Sequence, residues 1–138
     1  MPHTGSCLCG GITFRIHSPL EPIQVCHCSQ CRRAQGGPFV AIIPVATASF
    51  ALDDPQHLLT AYEATPGKQR MFCGRCGSPL FSRRDALPDV VRVRAGLISE
   101  PVPARPAWHA HVGSKCSWWP IDDGLPQYAG AYVAANEP

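Results

Sequence analysis

Eight cysteines in 138 residues, gathered into short runs, constrain this chain more than any other feature. They stand at Cys7, Cys9, Cys26, Cys28, Cys31, Cys73, Cys76 and Cys116. The spacing reads C-x-C, then C-x-C-x-x-C, then C-x-x-C, with one left over. A disulfide framework of this density belongs to secreted chains. The opening MPHTGSCLCG has no basic region followed by an apolar stretch, so no secretory leader is expected. Disulfides also demand a defined Cα separation and dihedral, which neighbouring cysteines meet poorly. Tetrahedral metal coordination suits the runs better, with disulfides and redox thiols as the alternatives. Soft thiolates select zinc or an iron–sulfur cluster, and the usual iron–sulfur spacings are missing.

The count separates two kinds of site. Cys73-Gly74-Arg75-Cys76-Gly77 has the form of a zinc knuckle, and Cys7-Leu8-Cys9-Gly10-Gly11 carries similar following glycines. Pairing those half-sites would make a closed, structural centre joining the chain's start to its middle. Cys26-His27-Cys28-Ser29-Gln30-Cys31 supplies three thiolates with no evident fourth, the pattern of an open site. Cys116 is left as a buried free thiol or as a fourth ligand folding back.

The remainder reads as mostly β. Gly11 to His17 alternates apolar and polar, and Phe39 to Ile43 is a short apolar run stopped by Pro44. Further strands are expected at 58–63, 69–72, 89–95 and 107–112. The frequent punctuation by 15 Pro and 12 Gly suits short strands. Only Ser29 to Gln35 suggests helix, a single turn behind Cys28. Residues 121–138 should run irregularly over the surface. His109 and His111 are expected on one strand face. Trp118 and Trp119 are candidates for a pocket wall or for core.

Length and the lack of a linker predict one domain, 1–138. A formal charge of +2 gives no basic nucleic-acid footprint, and seven thiolates on two divalent ions would turn that balance slightly negative. No apolar run reaches the roughly 20 residues of a membrane helix. The expected setting is cytoplasmic, as a monomer or homodimer.

Taken together, these residues resemble the glutathione-dependent formaldehyde-activating enzyme (GFA) family, whose domain is shared with centromere protein V. The resemblance runs through Gly5-Ser6-Cys7-Leu8-Cys9-Gly10-Gly11, Cys26-His27-Cys28-Ser29-Gln30-Cys31-Arg32-Arg33 and Gly67-Lys68-Gln69-Arg70-Met71-Phe72-Cys73-Gly74-Arg75-Cys76-Gly77-Ser78-Pro79-Leu80. It closes with His109, Val112-Gly113-Ser114-Lys115, Trp119 and Asp123-Gly124-Leu125-Pro126. The resemblance implies a small zinc-stabilised antiparallel β-sheet fold of the β-tent type with little helix. It implies two zinc ions per chain: a structural one on Cys7, Cys9, Cys73 and Cys76, and a catalytic one on Cys26, Cys28 and Cys31. The implied activity is that of a carbon–sulfur lyase of the S-(hydroxymethyl)glutathione synthase type, acting on a small thiol and an aldehyde with glutathione as co-substrate. Cys116 departs from the family pattern, where a small non-thiol residue follows the Ser-Lys pair.

Arg32 and Arg33, directly after Cys31, are candidates to clamp glutathione carboxylates or are simply solvated. His27, between two ligands, should point away from a metal by alternation. The competing functions are a non-catalytic zinc-stabilised binding module for a small thiol or protein partner, and a redox switch at the middle cluster.

Overall fold

The computed structural model describes residues 2–132. Ten strands and one α-helix follow in order: β1 His3–Ser6, β2 Thr13–Ile16, β3 Ile23–Cys26, α1 Ser29–Gln35, β4 Val40–Ala46, β5 Phe50–Asp53, β6 Leu59–Thr65, β7 Lys68–Cys73, β8 Pro79–Arg84, β9 Leu87–Arg94 and β10 Pro106–Ala110. The chain divides into two compact units, Met1–Glu21 with Ile43–Ala104, and Pro22–Ile42 with Arg105–Pro138. The division falls inside β4.

In the first unit β1, β2 and β5 make a three-stranded antiparallel sheet. Strands β6 to β9 pair antiparallel in sequence order. Alternation in β2 buries Phe14 and Ile16 while Thr13 and Arg15 face water. Phe14 meets Phe50 at 5.5 Å between ring centroids, and Phe50 meets Phe81 at 5.1 Å. Met71, Leu80, Phe81, Val91 and Val93 complete this apolar set. Gly5 on β1 lies opposite Phe14, where a Cβ would come within 2.2 Å of the ring and 2.6 Å of the Leu97 carbonyl oxygen. Gly5→Ala is therefore expected to cost about 1–3 kcal/mol through overpacking, read as a lowered midpoint in urea. An unchanged midpoint would show that Phe14 moves aside freely.

In the second unit β3 lies between β4, antiparallel, and β10, parallel. This parallel pairing is added to the mostly β, largely antiparallel fold expected from the sequence. Cys26, Cys31, Val40 and Ile42 form a buried cluster, with Cys28 packed against it.

Several boundaries differ from the sequence expectation. β4 continues through Pro44 to Ala46. Proline removes only one ladder donor, and the pairing with β3 already ends at Ile42. The helix keeps the expected bounds Ser29–Gln35 but makes more than the single turn expected, and Gly36 closes it at φ 75° with its amide on the Arg32 carbonyl. β10 stops at Ala110, and His111 adopts φ 56°, so the two histidines do not share a strand face. Strands β1, β3, β5 and β8 were not expected. Residues 121–132 contain no extended strand, only a bridge of Gln127 to His109; the rest of that segment, 133–138, lies outside the described residues.

Candidate functional site

Two thiol groups come together where the spacing placed them. In the first unit the Sγ atoms of Cys7, Cys9, Cys73 and Cys76 all lie within 4.8 Å of one another. Cys7 and Cys9 are 3.6 Å apart, and Cys9 and Cys73 3.8 Å. A tetrahedron with metal–sulfur bonds of about 2.3 Å has edges of about 3.8 Å, so the four thiols fit one ion. Amides turn toward the sulfurs, Ile12 to Cys7 at 3.4 Å and Cys76 to Cys73 at 3.5 Å. Arg75 donates from Nε to Cys9 at 3.3 Å and from Nη1 to Gln56 at 2.8 Å, bringing a fixed positive charge to the thiols. The Gly11 amide and Arg75 hold the Cys9 thiol below its usual range, and Ser78 draws Cys76 down to about 5. Donors aimed at sulfur favour thiolate, the form a metal needs.

In the second unit Cys26, Cys28 and Cys31 make a group of three with the same mutual reach. Cys26 ends β3, and Cys28 is the N-cap of α1, accepting from the Cys31 amide at 3.3 Å. The hydrogen bond with Cys31 and burial push the Cys26 thiol far above its ordinary value. Three ionised thiols in so small a space require a cation, and the set can hold one. Cys116 is buried and stands outside this group. Arg32 is half-buried with an Nε that has no acceptor, while Arg33 is exposed.

His27 is fully buried, not a surface residue, and is not in the thiol group. Its Nε2 lies 2.8 Å from Nδ1 of His109, whose Nε2 lies 2.7 Å from Oδ2 of Asp123. An ionised Asp123 only accepts, so in the neutral form of the pair His109 carries its hydrogen on Nε2 and receives one from His27 on Nδ1. His27 Nδ1 then keeps a bare lone pair, buried and without a partner. Burial, then His109, lowers the His27 pKa, and His109 holds the Asp123 carboxyl low. This chain ties the segment carrying Cys26 and Cys28 to residues far away in sequence. The role of Asp123 was missed, although Asp123-Gly124-Leu125-Pro126 stood out in the sequence. Phe39 packs against His27 and, edge-on, against Trp119 at 5.9 Å. Trp118 and Trp119 are 64% and 41% exposed, so neither is core.

Fold and thiol geometry define a small, mostly β protein with two cysteine clusters able to hold metal ions. The profile of the glutathione-dependent formaldehyde-activating enzyme family matches residues 2–114. The chain belongs to that family. It is 32% identical over 126 residues to a Halomonas elongata protein named "Putative glutathione-dependent formaldehyde-activating enzyme", covering 86% of this chain and 80% of that one. An uncharacterized lyase of Schizosaccharomyces pombe is 27% identical over 79 residues, 57% of this chain and 56% of its own. A crystal structure of a Rhodobacter sphaeroides protein shares the fold with a TM-score of 0.61 at 21% identity, covering 91% of this chain and 98% of that one. Among the described residues no helix is long and apolar enough to cross a membrane.

Proposed function

We propose that the protein is a zinc-dependent carbon–sulfur lyase of the S-(hydroxymethyl)glutathione synthase type, joining a thiol such as glutathione to an aldehyde such as formaldehyde. The observation that carries this reading is the group of three thiols, one ligand short of a closed tetrahedral site. Zinc held by Cys26, Cys28 and Cys31 supplies an open coordination position and a charge that favours thiolate near neutral pH. The second zinc, on Cys7, Cys9, Cys73 and Cys76, is structural.

The remaining work falls to the protein. The first turn of α1 fixes Cys28 relative to Cys31, while Val40 and Ile42 shield Cys26 and Cys31 from water. The Arg32 guanidinium, with its unpaired Nε, offers a partner for a glutathione carboxylate, and Arg33 adds positive charge. The Asp123–His109–His27 chain holds the peptide between Cys26 and Cys28 in one orientation. In the reaction a sulfur–carbon bond forms at the carbonyl carbon, the carbonyl π pair becomes the hydroxyl oxygen's, and the thiol's proton ends on that oxygen. No group leaves. The reverse direction breaks the carbon–sulfur bond and returns the proton to sulfur. In this reading residues 1–138 act as one domain working in the cytoplasm; a family match that includes segments of both units supports the single domain.

Exchange spectroscopy by nuclear magnetic resonance on glutathione plus formaldehyde tests the reading. Zinc-loaded protein is expected to speed interconversion with S-(hydroxymethyl)glutathione. Rates equal to the protein-free mixture would remove formaldehyde as substrate. Saturable glutathione binding with no turnover of other aldehydes would point instead to a binding module.

A further inference from the structure

In the second unit β3 and β10 run parallel, with Ala110 beside Cys26, so both leave the sheet at the same end. There β3 passes into His27, Cys28 and α1, while β10 passes into a turn at Val112–Ser114 and then residues 115–119. Strand β4 enters at that end as well. Its register with β3 sets Val40 against Cys26, and one step further Phe39 meets His27, with ring centroids 5.5 Å apart. The His27 amide donates to the Ala110 carbonyl at 3.0 Å, which keeps the two parallel chains together past the strand ends. The segment bearing the three thiols and the segment 115–119 thus share one end of one sheet.

What the second segment brings there is aromatic surface. Trp119 packs edge-on against Phe39, and Trp118 stands nearly perpendicular to Trp119, with centroids 6.4 Å apart and planes at 86°. Both indoles stay largely in solvent. Large apolar side chains exposed as a group mark an interaction site, where a single one would need no explanation. The corner is also held in place. Lys115 donates from Nζ to the carbonyls of Cys116 and Trp119, at 2.8 and 2.5 Å, pinning the turn that carries the two indoles. A surface fixed beforehand gives up little freedom on binding. Two rings at right angles suit a flat aromatic group, which stacks on one and meets the other edge to face. A cation, the other ligand that indole faces attract, would meet the like charge of Lys115.

We propose that Phe39, Trp118 and Trp119 form the subsite for the substituent of the carbonyl substrate, and that aldehydes carrying an aromatic group are bound there in preference to formaldehyde. Formaldehyde offers such a surface only hydrogen. That the ligand is an aldehyde rests on the function proposed above; the aromatic corner itself does not.

The test uses the metal-loaded full chain with S-benzylglutathione and S-methylglutathione, thioethers that cannot react and differ only in the group on sulfur. Calorimetric titration is expected to show the benzyl compound bound about 10- to 100-fold more tightly, the scale of burying one phenyl ring. Trp118→Ala and Trp119→Ala should each cut that preference and together erase it. Equal affinity for the two thioethers overturns the proposal, as does a failure of both to bind. A preference that survives the double substitution places the ring elsewhere and overturns it too. Should a Trp119 variant fail to fold, the more exposed Trp118→Ala decides. The preference without accelerated exchange of glutathione with any aldehyde would sink the lyase reading and leave the aromatic subsite. Accelerated exchange without the preference would sink the subsite and leave the lyase reading.

Discussion

Cys28→Ser, purified without chelators, is expected to carry one zinc per chain where the wild type carries two. Its thiol–aldehyde turnover should fall by more than about 100-fold. That bound follows from metal sites at large, where loss of an outer-shell partner alone costs about 10- to 100-fold, and Cys28 would be a direct ligand. The substitution is also a mild one for the fold. Cys28 caps α1 by accepting the Cys31 amide, and serine is among the best N-cap residues, so the helix should keep its start. Elemental analysis together with the exchange measurement checks this. Two zincs in the variant, or undiminished turnover, would mean that the three thiols are not the working site.

Cys73→Ser should behave in the opposite way, losing the fold before any question of activity arises. Cys73 has no exposed surface and closes a sulfur contact to Cys9 across 64 residues of sequence. Structural zinc contributes about 10–16 kcal/mol in small thiolate domains near neutral pH, comparable to or above the roughly 5–15 kcal/mol net stability of a typical domain. The variant, and the wild type treated with a strong chelator, are expected to lose cooperative thermal unfolding. Circular dichroism melts would reveal it. A Cys73→Ser melt matching the wild type would show that hydrophobic burial around Phe14, Phe50 and Phe81 suffices without the ion.

Sequence reading succeeded where the information is local. Thiols two or three residues apart announce their own clusters, and Ser29 to Gln35 stood out as the one helical stretch. It was weaker where structure depends on partners. β8 shows no alternation because Leu80, Phe81 and Ser82 are buried in succession, so the period of two is erased. β1, with the sequence His3-Thr4-Gly5-Ser6, has no apolar residue to register. The link from His27 to Asp123 spans most of the chain and leaves no pattern, and neither does the reach of Arg75 to Cys9. The stop assigned at Pro44 treated proline as a barrier, though past the end of the β3 ladder it gives up little.

The four-thiol centre also sets an order of events during synthesis. Cys9 leaves the ribosome 64 residues ahead of Cys73, which at about 5–20 residues per second is a wait of roughly 3–13 s. For that interval Cys7 and Cys9 form half a chelate with no second half to close it. If the four thiols hold the proposed zinc, the nascent chain would need a reducing surrounding and buffered metal, and the same sequence translated into an oxidising compartment would meet its oxidant before it met its partner.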